Sequence, residues 1–462
     1  MNTTYDMPEN YYFGGGSDSS VVTPLALACL AAAFLLILLV PRKHVLVPLL
    51  ASCVLLPFGT SLVVAGFHLY TLRLLLAAGW LRLAVRGDLK VPRLNVIDKT
   101  FLFWALSNAI AFSILWGGMG AVTNRLGFLW NTLGAYFLAR ALVRNKEDVI
   151  RCIRVLAALV IVIAPAMAME HATQHNLFSI LGAPELSDIR SGSIRAKGPF
   201  GHAIIAGTIG AMLMPLFAGV WRQGKEGRLL LGLGVASSAV MAITSASSTP
   251  LMTLGVGAIG LLLWPARQHL RVFRWGLALS VLSLHLVMKA PVWMLIARTG
   301  GAMGGSGYHR AMLIDNFIRH FGEWWLFGTR TNALWGFDMW DVDNAFVGAG
   351  VGGGLITFIA FIALLRYAFR QVGRARRLTS ETRRDERLVW AIGASLLANT
   401  VGFFGIVYFD QSVLIWYSLL AMVSATAAFP AATAQPSVEL SHKPQIDDTG
   451  WEAAAGRVAL SV

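Results

Sequence analysis

Val21–Val40 contains no charged side chain, and it is one of a long series of such apolar blocks in this chain. At about 1.5 Å of rise per residue, roughly 20 helical residues match a hydrocarbon core of about 30 Å. In lipid every backbone polar group needs an internal partner, so only helices and closed barrels span. The alternation expected of barrel strands is missing here, which leaves helices. Similar blocks lie near 21–40, 45–65, 67–85, 101–118, 127–143, 152–169, 203–221, 228–244, 250–265, 273–289, 346–368, 388–405 and 411–429. The expected fold class is therefore all-α, a polytopic transmembrane bundle of about 13 spans over residues 21–429. The third block carries Arg73 and Arg82, so lying at the interface is an alternative for it.

Charge gives this bundle a direction. The formal net charge is +14, yet only 13% of residues are charged, and the Lys and Arg residues cluster between apolar blocks. That placement encodes topology and argues against nucleic acid as a partner. One set of alternate loops carries Arg42 and Lys43; Arg86, Lys90 and Arg93; Arg144, Lys146 and Arg151. It continues with Arg222, Lys225 and Arg228, then Arg267, Arg271 and Arg274, and ends with the dense run from Arg366 to Arg387. The short opposite loops hold little that is basic beyond Arg125. The positive-inside rule places the N-terminus outside and the C-terminus in the cytoplasm, as an odd number of spans requires. Residues 1–20 lack a basic n-region and read as a disordered acidic tail outside, and 430–462 as a disordered tail inside. Cys29, Cys53 and Cys152 lie in or beside apolar blocks and suggest neither a disulfide framework nor a zinc site.

Two long segments remain outside, 171–202 and 290–345, both rich in Gly, Arg, Asp, His and Trp. Long loops of this kind are functional or disordered, and five tryptophans from Trp293 to Trp340 argue against disorder in the second. Asp315–Phe327 within it reads as a helix, and the whole segment as a cap over one face of the bundle.

Three polar motifs flank these segments. In SIRAKGPFGHAIIAG (193–207), Arg195 and Lys197 precede a Gly198-Pro199 break and a helix beginning near His202. A guanidinium beside a helix N-terminus suits phosphate or pyrophosphate; the structural alternative is snorkelling to lipid phosphates. GGSGYHR (304–310) offers a Gly-rich turn before Tyr308, His309 and Arg310, either an anion site or simply a flexible turn. In DMWDVDNAFVGAGVGGGL (338–355), Asp343 is a candidate general base, or Asp343 or Asn344 is the N-cap of the next span. Asp341 and Asp343 form a DxD triplet without further ligands, so neither a metal nor another cofactor is expected. Ser245–Thr249 reads as a connector, His171, His175 and His202 match no zinc spacing, and no GxSxG, P-loop or Rossmann fingerprint stands out.

Taken together, RAKGPFGHAIIAG (195–207), YHRAMLIDNFIRHFGEWWLFGTR (308–330) and DNAFVGAGVGGGL (343–355) resemble the O-antigen ligase/polymerase superfamily of bacterial membrane glycosyltransferases. The resemblance covers the central half of the chain. It implies a protein of the bacterial inner membrane that moves a glycan, with inversion and without a metal, from undecaprenyl pyrophosphate to a glycan or lipid acceptor hydroxyl outside. It implies that Arg195 and Arg310 hold the pyrophosphate, with Lys197, His202, Tyr308, His309 and Asn344 around the substrates. The family's base is usually a His followed by Asn; here Asp343 precedes Asn344. Two other readings stay open: a transporter or flippase of lipid-linked saccharides, which should carry polar groups near the bilayer midplane, and a non-catalytic subunit of an envelope polysaccharide complex.

Overall fold

The computed structural model describes residues 20–64, 67–88, 93–190, 192–221, 227–301, 307–409 and 411–429. The tails over 1–19 and 430–462, the loop residues Lys90, Arg222 and Lys225, and Gly304–Ser306 of the Gly-rich turn lie outside the described residues.

The described chain is mostly helical. Its first part comprises α1 (Pro24–Leu39), α2 (Leu46–Leu55), α3 (Thr71–Val85), α4 (Val96–Trp116), α5 (Gly118–Leu129) and α6 (Ala135–Leu142), the last two joined by a π-helical turn. Then follow α7 (Lys146–Thr173), α8 (Ala203–Trp221), α9 (Arg228–Thr244), α10 (Ser248–Leu262) and α11 (Leu270–Val287). The short α12 (Leu295–Gly301), α13 (Gly307–Arg319) and α14 (Phe321–Trp324) precede α15 (Ala345–Leu378), α16 (Arg383–Gly402) and α17 (Gln411–Ala425). Two small antiparallel hairpins complete it, β1 (Ser61–Val64) with β2 (Phe67–Tyr70), and β3 (Ile189–Arg190) with β4 (Ser193–Ile194).

Among the described residues, six helices are long and apolar enough to cross a membrane: α4, α7, α8, α11, α15, and α17 with its 3₁₀ extension to Ala428. Shorter apolar helices are α1, α9 and α10. Their starts follow local sequence. Asn95 and Asp98 close a capping box on α4, and Asn145 caps α7 by accepting from the Asp148 N–H. Outward faces carry large apolar side chains such as Leu35, Ile110, Ile259 and Ile359, each more than half exposed. A surface so rich in exposed aliphatic residues suits lipid rather than water.

Helix ends gather in two sets. At one end Arg42 meets the Leu142 carbonyl and Asp148, Lys146 pairs with Asp385, Arg267 with Glu386, and Arg376 reaches the Arg267 carbonyl. At the other, the Pro199 carbonyl accepts from the Phe58 N–H and the Gln411 amide, Thr244 from Ala196, and Phe403 from Ala345. Arg82 of α3 is buried inside the protein, donating to Asp88 (3.1 Å) and the Val40 carbonyl (3.2 Å), so its charge is met by the protein and not by headgroups.

The expected Asp315–Phe327 helix is displaced. Helix starts at Gly307, stops at Arg319, and resumes for one turn as α14. The reason lies in a separate small core of Leu313, Phe317, Trp324, Trp335, Met339 and Val347, which folds this segment back onto the start of α15. α15 itself breaks at Gly354 (φ 74°), and Thr329 N–H and Trp325 carbonyl bond to Val351 carbonyl and Leu355 N–H at the break. The Gly-rich run thus lets a neighbouring segment satisfy backbone groups that a kink exposes.

Candidate functional site

Glu170, in the last turn of α7 and completely buried, organises the first arm of the site. Its carboxylate accepts the N–H groups of Lys197 (3.0 Å) and Gly198 (2.8 Å) and the hydroxyl of Ser187. Gly198 has φ +55°, and a Cβ there would press on Met167, so the break anticipated at Gly198-Pro199 requires glycine. The adjacent backbone is pinned by Arg195 N–H to the Asp188 carbonyl (2.9 Å) and Ala196 N–H to the Thr244 carbonyl (3.1 Å). This aims Arg195 at the turn between α9 and α10, where its guanidinium donates to Ser247 Oγ at 2.9 Å.

The second arm comes from the other outer segment. Arg310, in the first turn of α13, donates from Nε to Asp343 Oδ2 (3.1 Å) and from a terminal nitrogen to Ser248 Oγ (3.3 Å). His309 Nδ1 lies 3.6 Å from Asp343 Oδ1, and its Nε2 is 2.8 Å from the Asp338 carbonyl. Asp343 therefore faces a cation on each oxygen. Gly405, three residues past the end of α16, closes the back: a Cβ there would stand 2.3 Å from Thr249 Oγ1 and 3.0 Å from Arg310 Nε.

Four helices, α8, α10, α13 and α15, begin at this cluster, so the positive ends of their dipoles converge on it. Arg195 and Lys197 are both 8% exposed, and neither forms an ion pair among the described residues. Burial, with the charge of Arg190 next, pulls the Arg195 guanidinium below its usual range. Burial and then the charge of Arg195 push His202 down to about 4, so it is neutral; its Nδ1 accepts the Ile204 N–H (3.2 Å), which leaves the hydrogen on Nε2. Asp343 draws His309 up to about 9 against the opposing effect of burial, so it is charged at neutral pH. Burial, with Asp343 next, raises Asp341 above the ordinary carboxylate range.

Arg195, His309, Arg310 and Asp343 thus come together, with Lys197 and His202 beside them. Asn344 does not offer its side chain to this space: Oδ1 accepts the N–H groups of Phe346 and Val347, the N-cap alternative, and Nδ2 reaches the Phe404 carbonyl. Tyr308 is 66% exposed at the surface. No group of three or more His, Cys, Asp or Glu suited to a metal occurs among the described residues.

Two contributors escaped sequence reasoning. Ser247 and Ser248, within the Ser245–Thr249 stretch read as a connector, accept from the two guanidiniums. Glu170 was overlooked, although an acid in the last turn of an apolar helix is itself a signal. Chemically the site is a buried, positively charged cluster around the Asp343 carboxylate. In comparisons with known proteins, no family model and no curated protein sequence matches this chain, so the site's meaning rests on its geometry.

Proposed function

We propose that this chain is a multi-pass membrane glycosyltransferase of the O-antigen ligase/polymerase kind, using a polyprenyl pyrophosphate-linked glycan as donor and a sugar or lipid hydroxyl as acceptor. The observation that carries this reading is the placement of Arg195 and Arg310, from two distant segments, on neighbouring serines of a single turn. Two guanidiniums at converging helix N-termini suit a pyrophosphate, whose negative charge grows as it departs.

In the proposed reaction the acceptor oxygen attacks the anomeric carbon as the bond from that carbon to the pyrophosphate oxygen breaks. Asp343 takes the acceptor's proton, and the released polyprenyl pyrophosphate keeps the bonding electron pair. Arg195 and Arg310 stabilise that leaving group, a role worth several kcal/mol in a water-poor site. Because Arg310 donates to Asp343, donor phosphate would compete with the carboxylate for the same guanidinium.

The two sets of helix ends support the topology that goes with this reading. Counting α5 and α6 as one rod and leaving aside the short α12, α13 and α14, we read the other helices among the described residues as thirteen rods alternating between a basic end and the end that carries the site. We take the basic end as cytoplasmic and the site as external, with residues 307–344 as the cap. The test is purified protein in a bilayer, given lipid-linked glycan and acceptor. The wild type should transfer glycan, and the transfer should be lost in Arg195→Ala, Arg310→Ala and Asp343→Ala; no transfer by the wild type would sink the function, and normal transfer in all three variants would sink the site.

A further inference from the structure

The turn between α9 and α10 is built for something that the two arginines do not supply. α10 has 15 residues and begins at Ser248 after Ser247 at the N-cap position, yet no side chain caps it. The N–H groups of Ser248 and Thr249 find no partner among the described residues, as expected of the first turn of an uncapped helix. Pro250 follows and has no N–H, so it adds no donor to that turn. Thr249 is completely buried and its hydroxyl has no hydrogen-bond partner, an arrangement that costs about 1–3 kcal/mol when left unmet. Arg195 Nε, in a side chain more than nine-tenths buried, is also unpartnered. Ala246 adopts φ +44°, a left-handed conformation that turns the backbone sharply into the helix start.

Ser247 Oγ already donates to the Ser245 carbonyl (3.0 Å) while accepting from Arg195, so it positions the guanidinium and is not free to donate outward. The Ser248 hydroxyl accepts from Arg310 and retains its own hydrogen for another acceptor. Two backbone N–H groups, two hydroxyls that can each donate one hydrogen, and the Arg195 Nε–H thus make a set rich in donors, beside guanidiniums that reinforce the preference for an anion.

We infer that the Ser248–Thr249 start of α10 is a phosphoryl-binding element, which grips the oxygens of a diphosphate ligand held between Arg195 and Arg310. The identity of the ligand as a lipid-linked diphosphate rests on the transferase reading above; the preference for phosphoryl oxygens follows from the donors alone. Thr249 and Ser248 are then specificity-determining residues for the anion.

The test uses the full-length protein in zwitterionic-lipid nanodiscs, titrated calorimetrically with inorganic pyrophosphate and, separately, with farnesyl pyrophosphate. Saturable binding is expected, weakened about tenfold by Ser248→Ala and by Thr249→Val, which keeps the shape of the side chain, and retained in Ser248→Thr. Tighter binding of the farnesyl compound identifies a lipid-linked diphosphate, and equal binding a soluble one; both support the element. No saturable binding by the wild type, or binding unchanged in Ser248→Ala and Thr249→Val, overturns it. No glycan transfer by the wild type together with weakened binding in Thr249→Val would remove the transferase reading and leave the element standing. Lost transfer with unchanged diphosphate binding in Thr249→Val would do the reverse.

Discussion

Arg310 donates from Nε to Asp343 Oδ2 across 3.1 Å, so the residue proposed to hold the leaving group and the residue proposed to accept the proton are paired with each other. Both are largely buried, and removing either leaves the other as an unpaired charge. Asp343→Asn preserves shape while removing the negative charge. It should lower glycan transfer by about 100-fold or more, the usual range for a general base, while diphosphate binding holds or tightens because Arg310 is released. Arg310→Lys keeps the charge but loses the planar fork, and should weaken both. Parallel transfer assays and calorimetry separate the two effects; equal loss of binding in both variants would contradict the exchange.

His309 makes the site sensitive to pH. Its pKa lies at about 9, above the ordinary 6.5, because Asp343 favours its charged form. A group raised in the folded state stabilises it fully below the unfolded pKa, and that stabilisation is lost as pH rises through the folded value. Melting temperature should therefore fall between about pH 6.5 and 9 in the wild type, and the fall should be shallower in His309→Gln. Thermal unfolding of the two proteins across that window checks this, and parallel curves would contradict it.

The reach of the sequence differed by level. Apolar blocks and basic loops announce helices and their ends because lipid leaves the backbone few options and topology is encoded in local charge. Arg195, Arg310 and Asp343 were nameable from short motifs, but their meeting depends on α10, whose first residues carry no motif at all. Glu170 was hidden for the same reason, since its partners are backbone N–H groups, which leave no mark in side-chain spacing. Asn344 illustrates the opposite limit: capping and ligand binding ask for the same residue type, and only the bonds to Phe346 and Val347 decide between them.

Glu170 offers a test of the first arm that is independent of charge at the pyrophosphate. Glu170→Ala leaves the buried N–H groups of Lys197 and Gly198 without their acceptor, and each such loss costs about 1–3 kcal/mol. The segment carrying Arg195 should loosen, shown by faster amide exchange over 193–200, and transfer should fall together with protection. Glu170→Gln keeps one acceptor oxygen and should give an intermediate result. Unchanged exchange in Glu170→Ala would mean that the hairpin and the Thr244 contact hold the arm without it.

The break in α15 makes a second demand that glycine alone meets. Gly354 has φ 74°, and a Cβ there would lie 2.4 Å from the Leu326 carbonyl oxygen; at Gly328, φ 92°, it would lie 2.2 Å from the Val351 oxygen. Both obstacles are backbone, so neither can swing aside, and strain from the left-handed conformation adds about 1–2 kcal/mol. Gly354→Ala and Gly328→Ala should each push apart the Trp325–Leu355 and Thr329–Val351 bonds and lower the melting temperature by several degrees. Gly373→Ala, with open space around its position later in the same helix, is the matched control and should be neutral or slightly stabilising. Because Asp343 immediately precedes the upper half of this helix, displacement at Gly354 should also reduce transfer, whereas the control should not.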